Sequence, residues 1–407
     1  MQMFCLTYEF RLKPTQQQQE IFEDWLETTR RVYNYALAER KDWYHSRSCR
    51  VDACSLKAEY IIPASAPRPN YAYQCKSLTH ARKELPTLGR VHSQVLQQTL
   101  KRLESAFTSM WERSAGFPRF KKKGRMRSFV FPQLSVDPLK PGRVKLPTIG
   151  WVKYRSSRDI PSGATVKQAQ IVKRPSGWYV MLTLQWDVEI PTVLPHGHAV
   201  GIDVGLISFI ATSEGLTLPR PRFFVDLERK LRLLQQRVSR KLKGSNNRRK
   251  AQQKVSKLYE KIANTRSDYH WKLAHLICDT AGMVFVEDLN LKALAKGMLG
   301  KHCLDAGWGS FLIKLEQVCF KRGVFFLKVD ARKTSQICPS CLLQTGKKEL
   351  SERIHQCGEC GYVVDRDVAA AMVVKHRGLA AVGHTVKMLS EGKAVALPVT
   401  KESPYYK

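Results

Sequence analysis

The sequence CPSC (338–341) is followed, fifteen residues later, by CGECGYVVDRDVAAA (357–371). Two C-x-x-C pairs at this spacing match a structural zinc site, in which each pair chelates one edge of a tetrahedron. Cys338, Cys341, Cys357 and Cys360 close the coordination shell, so the metal is expected to fold the chain and not to catalyse. Asp365 and Asp367 follow the last cysteine closely, and a structural knuckle has no use for them. Either they start the apolar helix VAAAMVV (368–374), or the knuckle delivers them to a site built elsewhere.

Two further carboxylates stand out. Asp203 lies in GIDVG (201–205), read as mid-strand, on the face opposite Ile202 and Val204. A charge in an apolar strand is costly unless it is paired or binds a metal. Glu287 ends the apolar strand MVFVE (283–287). Singly, each has a plain explanation, since strand-end acids are solvated and an Asp at a helix start is a cap. Together, Asp203, Glu287 and Asp365 or Asp367 can converge on hard cations. Magnesium takes a few carboxylates with phosphate and water oxygens, and two ions about 3.5–4 Å apart clamp both oxygens of a phosphodiester displacement.

Composition narrows the substrate. Among 407 residues, 68 Lys+Arg against 35 Asp+Glu leave a net charge of +33. Such an excess favours a nucleic-acid polyanion over a membrane surface. No apolar run is long enough to span a bilayer, and the N-terminus MQMFCLTYEFRLKPT lacks a signal architecture. The seven cysteines outside the knuckle have no pattern, which fits reduced thiols in a cytoplasmic compartment.

The rest of the chain reads as alternating textures. A strand over 3–12 precedes a helical stretch from Thr15, and helical spacing returns over 71–111. The segment 118–132 interleaves Arg119, Lys121, Lys122 and Lys123 with Phe120 and Phe129, as a nucleic-acid backbone with stacking platforms would require. Strands follow, including a hairpin turning at Pro175–Gly177. Strand, helical insertion and returning strands predict a small β-barrel interrupted by a helical subdomain. From about residue 196 strands alternate with helices, which predicts an α/β domain. Within it, an antiparallel helix pair over 226–262 carries Arg240, Lys241, Arg248, Arg249 and Lys250 outward, followed by a separate helical stretch from Arg266.

GIDVGL (201–206), RSDYHWK (266–272), VEDLNL (286–291), TSQICPSC (334–341) and CGECGYVVDRD (357–367) together resemble the RuvC motifs of TnpB. TnpB is the transposon-encoded, RNA-guided nuclease family related to miniature type V CRISPR effectors. Weaker agreement lies in RLKPTQQQ with Asn34, in PRFKKK, and in Asp305, Trp308 and Phe311. The resemblance implies an α+β multidomain chain. Its parts are an N-terminal wedge β-barrel (1–50 and 133–195) with a helical recognition insert (51–132), and an RNase H-like RuvC domain (196–332). A four-cysteine zinc ribbon (333–364) is inserted before the last RuvC motif and helix (365–385), and a flexible tail (386–407) ends the chain. It further implies an RNA-guided DNA endonuclease that cuts double-stranded target DNA beside a short adjacent motif, with a guide RNA from the transposon end. The implied catalytic and magnesium-binding residues are Asp203, Glu287 and Asp367, with two magnesium ions and one structural zinc. This chain departs from the family at Ala369, where Asn is usual, and at Leu342, where Gly is usual at a turn needing positive φ.

Three other readings compete. A guided DNA-binding repressor would follow from an empty metal site. A strand-transferring transposase shares in-line attack on phosphate. A basic RNA-binding protein held by zinc would leave Asp203 unexplained.

Overall fold

The computed structural model describes residues 4–48, 62–186, 192–349 and 351–383. The predicted tail, and most of the stretch between 46 and 70 read as irregular, lie outside these residues. The chain divides at residue 190 into two compact units.

In the first unit, β1 (Phe4–Lys13) leads into α1 (Gln16–Ser48). Helices α2 (Tyr71–Glu84) and α3 (Ser93–Arg113) follow. Next come β2 (Ser128–Phe131), β3 (Leu139–Lys140), β4 (Arg143–Leu146), β5 (Gly150–Arg155), β6 (Thr165–Arg174) and β7 (Gly177–Trp186). All seven strands form one antiparallel sheet, in the order β2-β6-β7-β1-β5-β4-β3. No ladder joins β2 to β3 among the described residues, so hydrogen bonds do not close the expected barrel into a ring. A domain boundary at 132 also cuts off β2, which pairs with β6 and belongs to the sheet. Sheet and helices share a single core, because Phe22 and Trp25 of α1 pack on Phe129 of β2. The fully buried Arg40 ties the three helices together. It pairs with Glu104 of α3 at 2.6 Å, bonds Gln74 of α2 and lies over the Phe107 ring.

In the second unit, β8 (Ala199–Asp203), β9 (Ser208–Thr212) and β10 (Thr217–Pro219) make an antiparallel meander. Helices α4 (Glu228–Ser239) and α5 (Asn246–Thr280) cross to β11 (Met283–Glu287), which lies parallel to β8. Helix α6 (Trp308–Arg322) crosses in turn to β12 (Phe325–Val329), parallel to β11. The sheet order is β10-β9-β8-β11-β12. The hairpin β13 (Ile354–Gln356) and β14 (Val363–Asp365) precedes the last helix, α7 (Arg366–Val382). Two stretches read as separate helices, before 262 and from Arg266, are one 35-residue helix, since nothing between them breaks the backbone ladder.

Residues of β8 and β11 alternate between two cores. Val200, Ile202, Val284 and Val286 pack with α5 and α6, while Ala199, Met283 and Phe285 pack with Val374 of α7. Both faces are covered, so both strands are almost continuously buried, as central parallel strands are. Helix α7 approaches β8 so closely that a Cβ on Gly201 would lie 2.1 Å from the Ala371 carbonyl oxygen and 2.6 Å from Lys375 N. At Gly378 a Cβ would meet the Phe285 ring at 2.1 Å.

Backbone cannot step aside as a flexible side chain can. Gly201→Ala is therefore expected to lower stability by about 3 kcal/mol, the upper end of overpacking costs. Thermal melting of the zinc-loaded protein checks this, and an unchanged midpoint would mean that α7 does not dock as described.

Candidate active site and zinc knuckle

The β8–β9 connection places Asp203. Gly205 N donates to Ser208 O at 3.1 Å and closes the turn, so β8 ends at Asp203. This corrects the mid-strand reading: Asp203 stands at the C-terminal end of its strand. On β11, Val286 lies beside Ile202, which makes Glu287 the next neighbour of Asp203 across the parallel ladder. Asp203 follows Gly201 by two residues and Glu287 follows Phe285 by two, so both acids point to the face that α7 covers.

Asp367 arrives from α7. Asp365 is both the last residue of β14 and the N-cap of the helix. Its carboxylate accepts from Asp367 N at 2.8 Å and Val368 N at 3.2 Å. That leaves the Asp367 side chain free, with one oxygen near the space over Gly205. A cavity of about 210 Å³ is lined by Asp203, Glu287 and Asp367 together with Thr334, Ser335, Arg353, Arg366 and Ala370. Asp365, spent as a cap, is not among them. Neither is Ala369, which is buried within the helix packing.

Electrostatics make the cluster expensive. Burial, then the nearby charges of Glu287 and Asp367, push the Asp203 carboxyl well above its ordinary range, against the Val204 N–H and Arg366. Burial also raises Glu287, opposed by a hydrogen bond from the Thr334 hydroxyl and by Arg377. Asp203, Glu287 and Asp367 bring oxygen donors, the ligand type that hard divalent cations take, to one polar cavity. Arg366 braces the approach to the site: its side chain donates to Glu349 O at 2.7 Å and its N–H to Arg353 O at 2.8 Å.

The knuckle has the geometry of a tetrahedral thiolate site. Cys338 and Cys360 sulfurs lie 3.7 Å apart, as do those of Cys341 and Cys357, and all four fall within 4.8 Å of one another. Four sulfurs at about 2.3 Å from a zinc would be separated by about 3.8 Å. The two halves repeat one pattern. Leu342 N donates to Cys338 O and Cys338 N to Leu343 O; Gly361 N donates to Cys357 O and Cys357 N to Tyr362 O. Leu342 (φ 62°) and Gly361 (φ 69°) hold equivalent left-handed positions, so the turn demanded of Leu342 is formed despite its side chain.

The basic residues divide into exposed and engaged. Arg119, Lys122 and Lys123 are exposed, whereas Asn34 grips the backbone of Lys121 through both its N–H and its carbonyl. Arg240, Lys241, Arg249 and Lys250 are exposed, with no ion pair among the described residues. Arg248 instead donates to Lys241 O at 3.0 Å beyond the end of α4, so its guanidinium is a structural tie. Within RSDYHWK, Arg266 donates to the carbonyls of Leu304 and Asp305, and His270 bonds that of Ala306. This motif fastens α5 to the segment before α6. Sequence reasoning gave no individual role to Thr334, Ser335, Arg353 and Arg366; the sign available was polar residues just before, within and just after the knuckle.

Fold and site define a class: an α/β unit with carboxylates gathered at neighbouring strand ends, one of them delivered through a four-cysteine knuckle. Three family models match successive parts of the chain. They are described as a helix-turn-helix domain (residues 1–49), a "Probable transposase" (182–298) and a Cas12f1-like TNB domain (308–374). The described part of the first match is one strand and one helix. Two bacterial relatives carry the name "Putative RNA-guided DNA endonuclease". InsQ of Escherichia coli K12 is 29% identical over 97% of this chain and 96% of its own. The protein of Streptomyces pristinaespiralis is 30% identical over 99% and 97%. A chain from the cryo-EM structure of a Cas12f1–sgRNA–target DNA complex shares the fold, with a TM-score of 0.55 at 16% identity over 89% of this chain and 83% of that one. The chain belongs to the TnpB (OrfB) family.

Leu342 is 56% exposed, so removing its side chain sacrifices little packing while relieving a left-handed residue. Leu342→Gly is expected to stabilise the knuckle by about 1 kcal/mol and to slow zinc loss to a chelator. Faster loss than from the parent protein would show that the leucine side chain supports the knuckle.

Proposed function

We propose that this chain is an RNA-guided DNA endonuclease whose second unit is an RNase H-like RuvC domain with an inserted zinc ribbon. One observation carries the reading: Asp203, Glu287 and Asp367, separated by up to 164 positions in sequence, line one cavity. The strand order supports it, with a three-stranded meander extended by two parallel crossovers. The first unit would be the wedge and helical recognition part. The net charge of +33 supplies the attraction for guide RNA and target DNA.

Asp203, Glu287 and Asp367 would hold magnesium, which supplies activation of water and stabilisation of the leaving oxygen. The chain's own contribution is to fix the three carboxylates on rigid elements and to oppose the upward push of burial, through Arg366 at Asp203 and through the Thr334 hydrogen bond and Arg377 at Glu287. The zinc ribbon closes with four thiolates, so its part is to shape the chain that returns to the site.

A second reading, strand transfer, takes support from the transposase description over 182–298. Product analysis separates the two: hydrolysis leaves unjoined ends, whereas transfer leaves target joined to donor. All three acids are present and line the cavity, which argues against a non-cleaving repressor.

Asp367→Ala is expected to abolish magnesium-dependent cleavage while guide and target binding persist. Asp365→Ala should cost about 1 kcal/mol of stability through the missing cap and keep most activity. The reverse pattern would reassign the third carboxylate, and cleavage surviving Asp203→Ala as well would end the nuclease reading.

For the basic faces, replacing Arg240, Lys241, Arg249 and Lys250 by Gln should weaken RNA binding. It should also flatten the dependence of log affinity on log salt by about 0.7–0.9 for each phosphate no longer neutralised. An unchanged slope would mean that these residues face water.

A further inference from the structure

Thr334 is buried, and its hydroxyl donates to Oε1 of the buried Glu287. A hydroxyl has one proton. The other acceptor within reach, Ala331 O, lies at 3.4 Å, so the donation to Glu287 dominates. The bond takes one lone pair of Oε1 and restrains the rotation of the carboxylate, and Glu287 and Thr334 both line the cavity.

The turn that presents Thr334 is fastened to the cysteine knuckle. Lys333 enters it in the left-handed conformation, at φ 58°. Ser335 O accepts from Lys348 Nζ at 3.4 Å, and Gln336 O accepts from both Thr345 N (2.8 Å) and Thr345 Oγ1 (3.3 Å). Ile337 then bridges to Gln344, and Cys338 N donates to Leu343 O. Three consecutive residues thus have one polar group each committed: Thr334 to the strand-end acid, Ser335 and Gln336 to the ribbon.

We propose that Thr334 is a positioning residue for the carboxylate site, through which the folded zinc ribbon holds Glu287 in the orientation that binds a divalent cation. The proposal rests on the nuclease reading given above. The ribbon's folding would then be felt at the metal site along two routes, the N-cap of α7 and this hydroxyl.

The test uses the full-length zinc-loaded protein and manganese as the probe, followed by its electron paramagnetic resonance signal. Wild type and Asp203→Ala are compared first. Manganese binding that Asp203→Ala does not weaken would remove the carboxylate metal site, and the nuclease reading and this proposal with it. Where that control holds, Thr334→Val, which keeps shape and drops the donor, should retain zinc and weaken manganese binding at least tenfold. Its cleavage rate should fall at low magnesium and recover at high magnesium, a rescue that general loosening of the fold would not give. Thr334→Ser should behave as wild type in every assay. Wild-type manganese affinity in Thr334→Val would overturn the proposal. Should the valine variant fail to fold, the serine variant decides: tenfold weaker manganese binding there would show that the methyl group's packing acts, and not the hydroxyl.

Discussion

The second unit turns on a contact that no side chain makes, the backbone of α7 against the backbone of β8 at Gly201. Helix and strand run antiparallel there: Gly201 faces Ala371 and Lys375, and Gly205 faces Asp367. From that contact, two residues along the strand lead to Asp203, about 7 Å on. One helical turn back from Ala371 leads to Asp367, about 6 Å in the same direction. The absence of a Cβ at Gly201 thus sets the separation of two acids that neither the strand nor the helix could fix alone. Phe285, beside Gly201 in the ladder, fills the neighbouring space, and α7 passes over it by having Gly378 there.

Such an arrangement holds like charges together against their repulsion. Covering both faces of the sheet removes the water that would screen them, which is why burial leads the forces raising Asp203 and Glu287. A structure that merely needed stability would place apolar residues at these strand ends. Three acids on three separate elements suit the cation site proposed above, since a bound ion would offset their mutual repulsion.

Much of this was legible in the sequence because the signals were local. Four cysteines at fixed spacing specify a knuckle whatever surrounds them, and the sulfur separations agree. The acids were visible because each interrupts or ends an apolar run; the family resemblance pointed to Asp367 over Asp365, and the observed cap at Asp365 fits that division. Non-local pairing was less legible. The strand end at Asp203 depends on the Gly205–Ser208 turn, and β2 joins the first sheet through a ladder to β6 some forty residues away. Charge also misled in places: Arg248 counts as a cation by composition, yet its guanidinium is spent on a carbonyl of its own helix pair. Thr334 and Arg266 fall inside motifs visible in the sequence, but what each of them bonds appears only when its partner is in place.

The departure at Ala369 can be judged on the same geometry. Residues advance about 100° each around an α-helix, so position 369 points about 200° away from Asp367. Ala370, not Ala369, lines the cavity, and Ala369 is 2% exposed within the helix packing. An amide at 369 would therefore act on how α7 is seated, and only through that on the carboxylates. In this chain the seating is already constrained at both ends of the contact, by the Asp365 cap where the helix begins and by Gly201 one turn further in. An alanine at 369 leaves those two constraints intact.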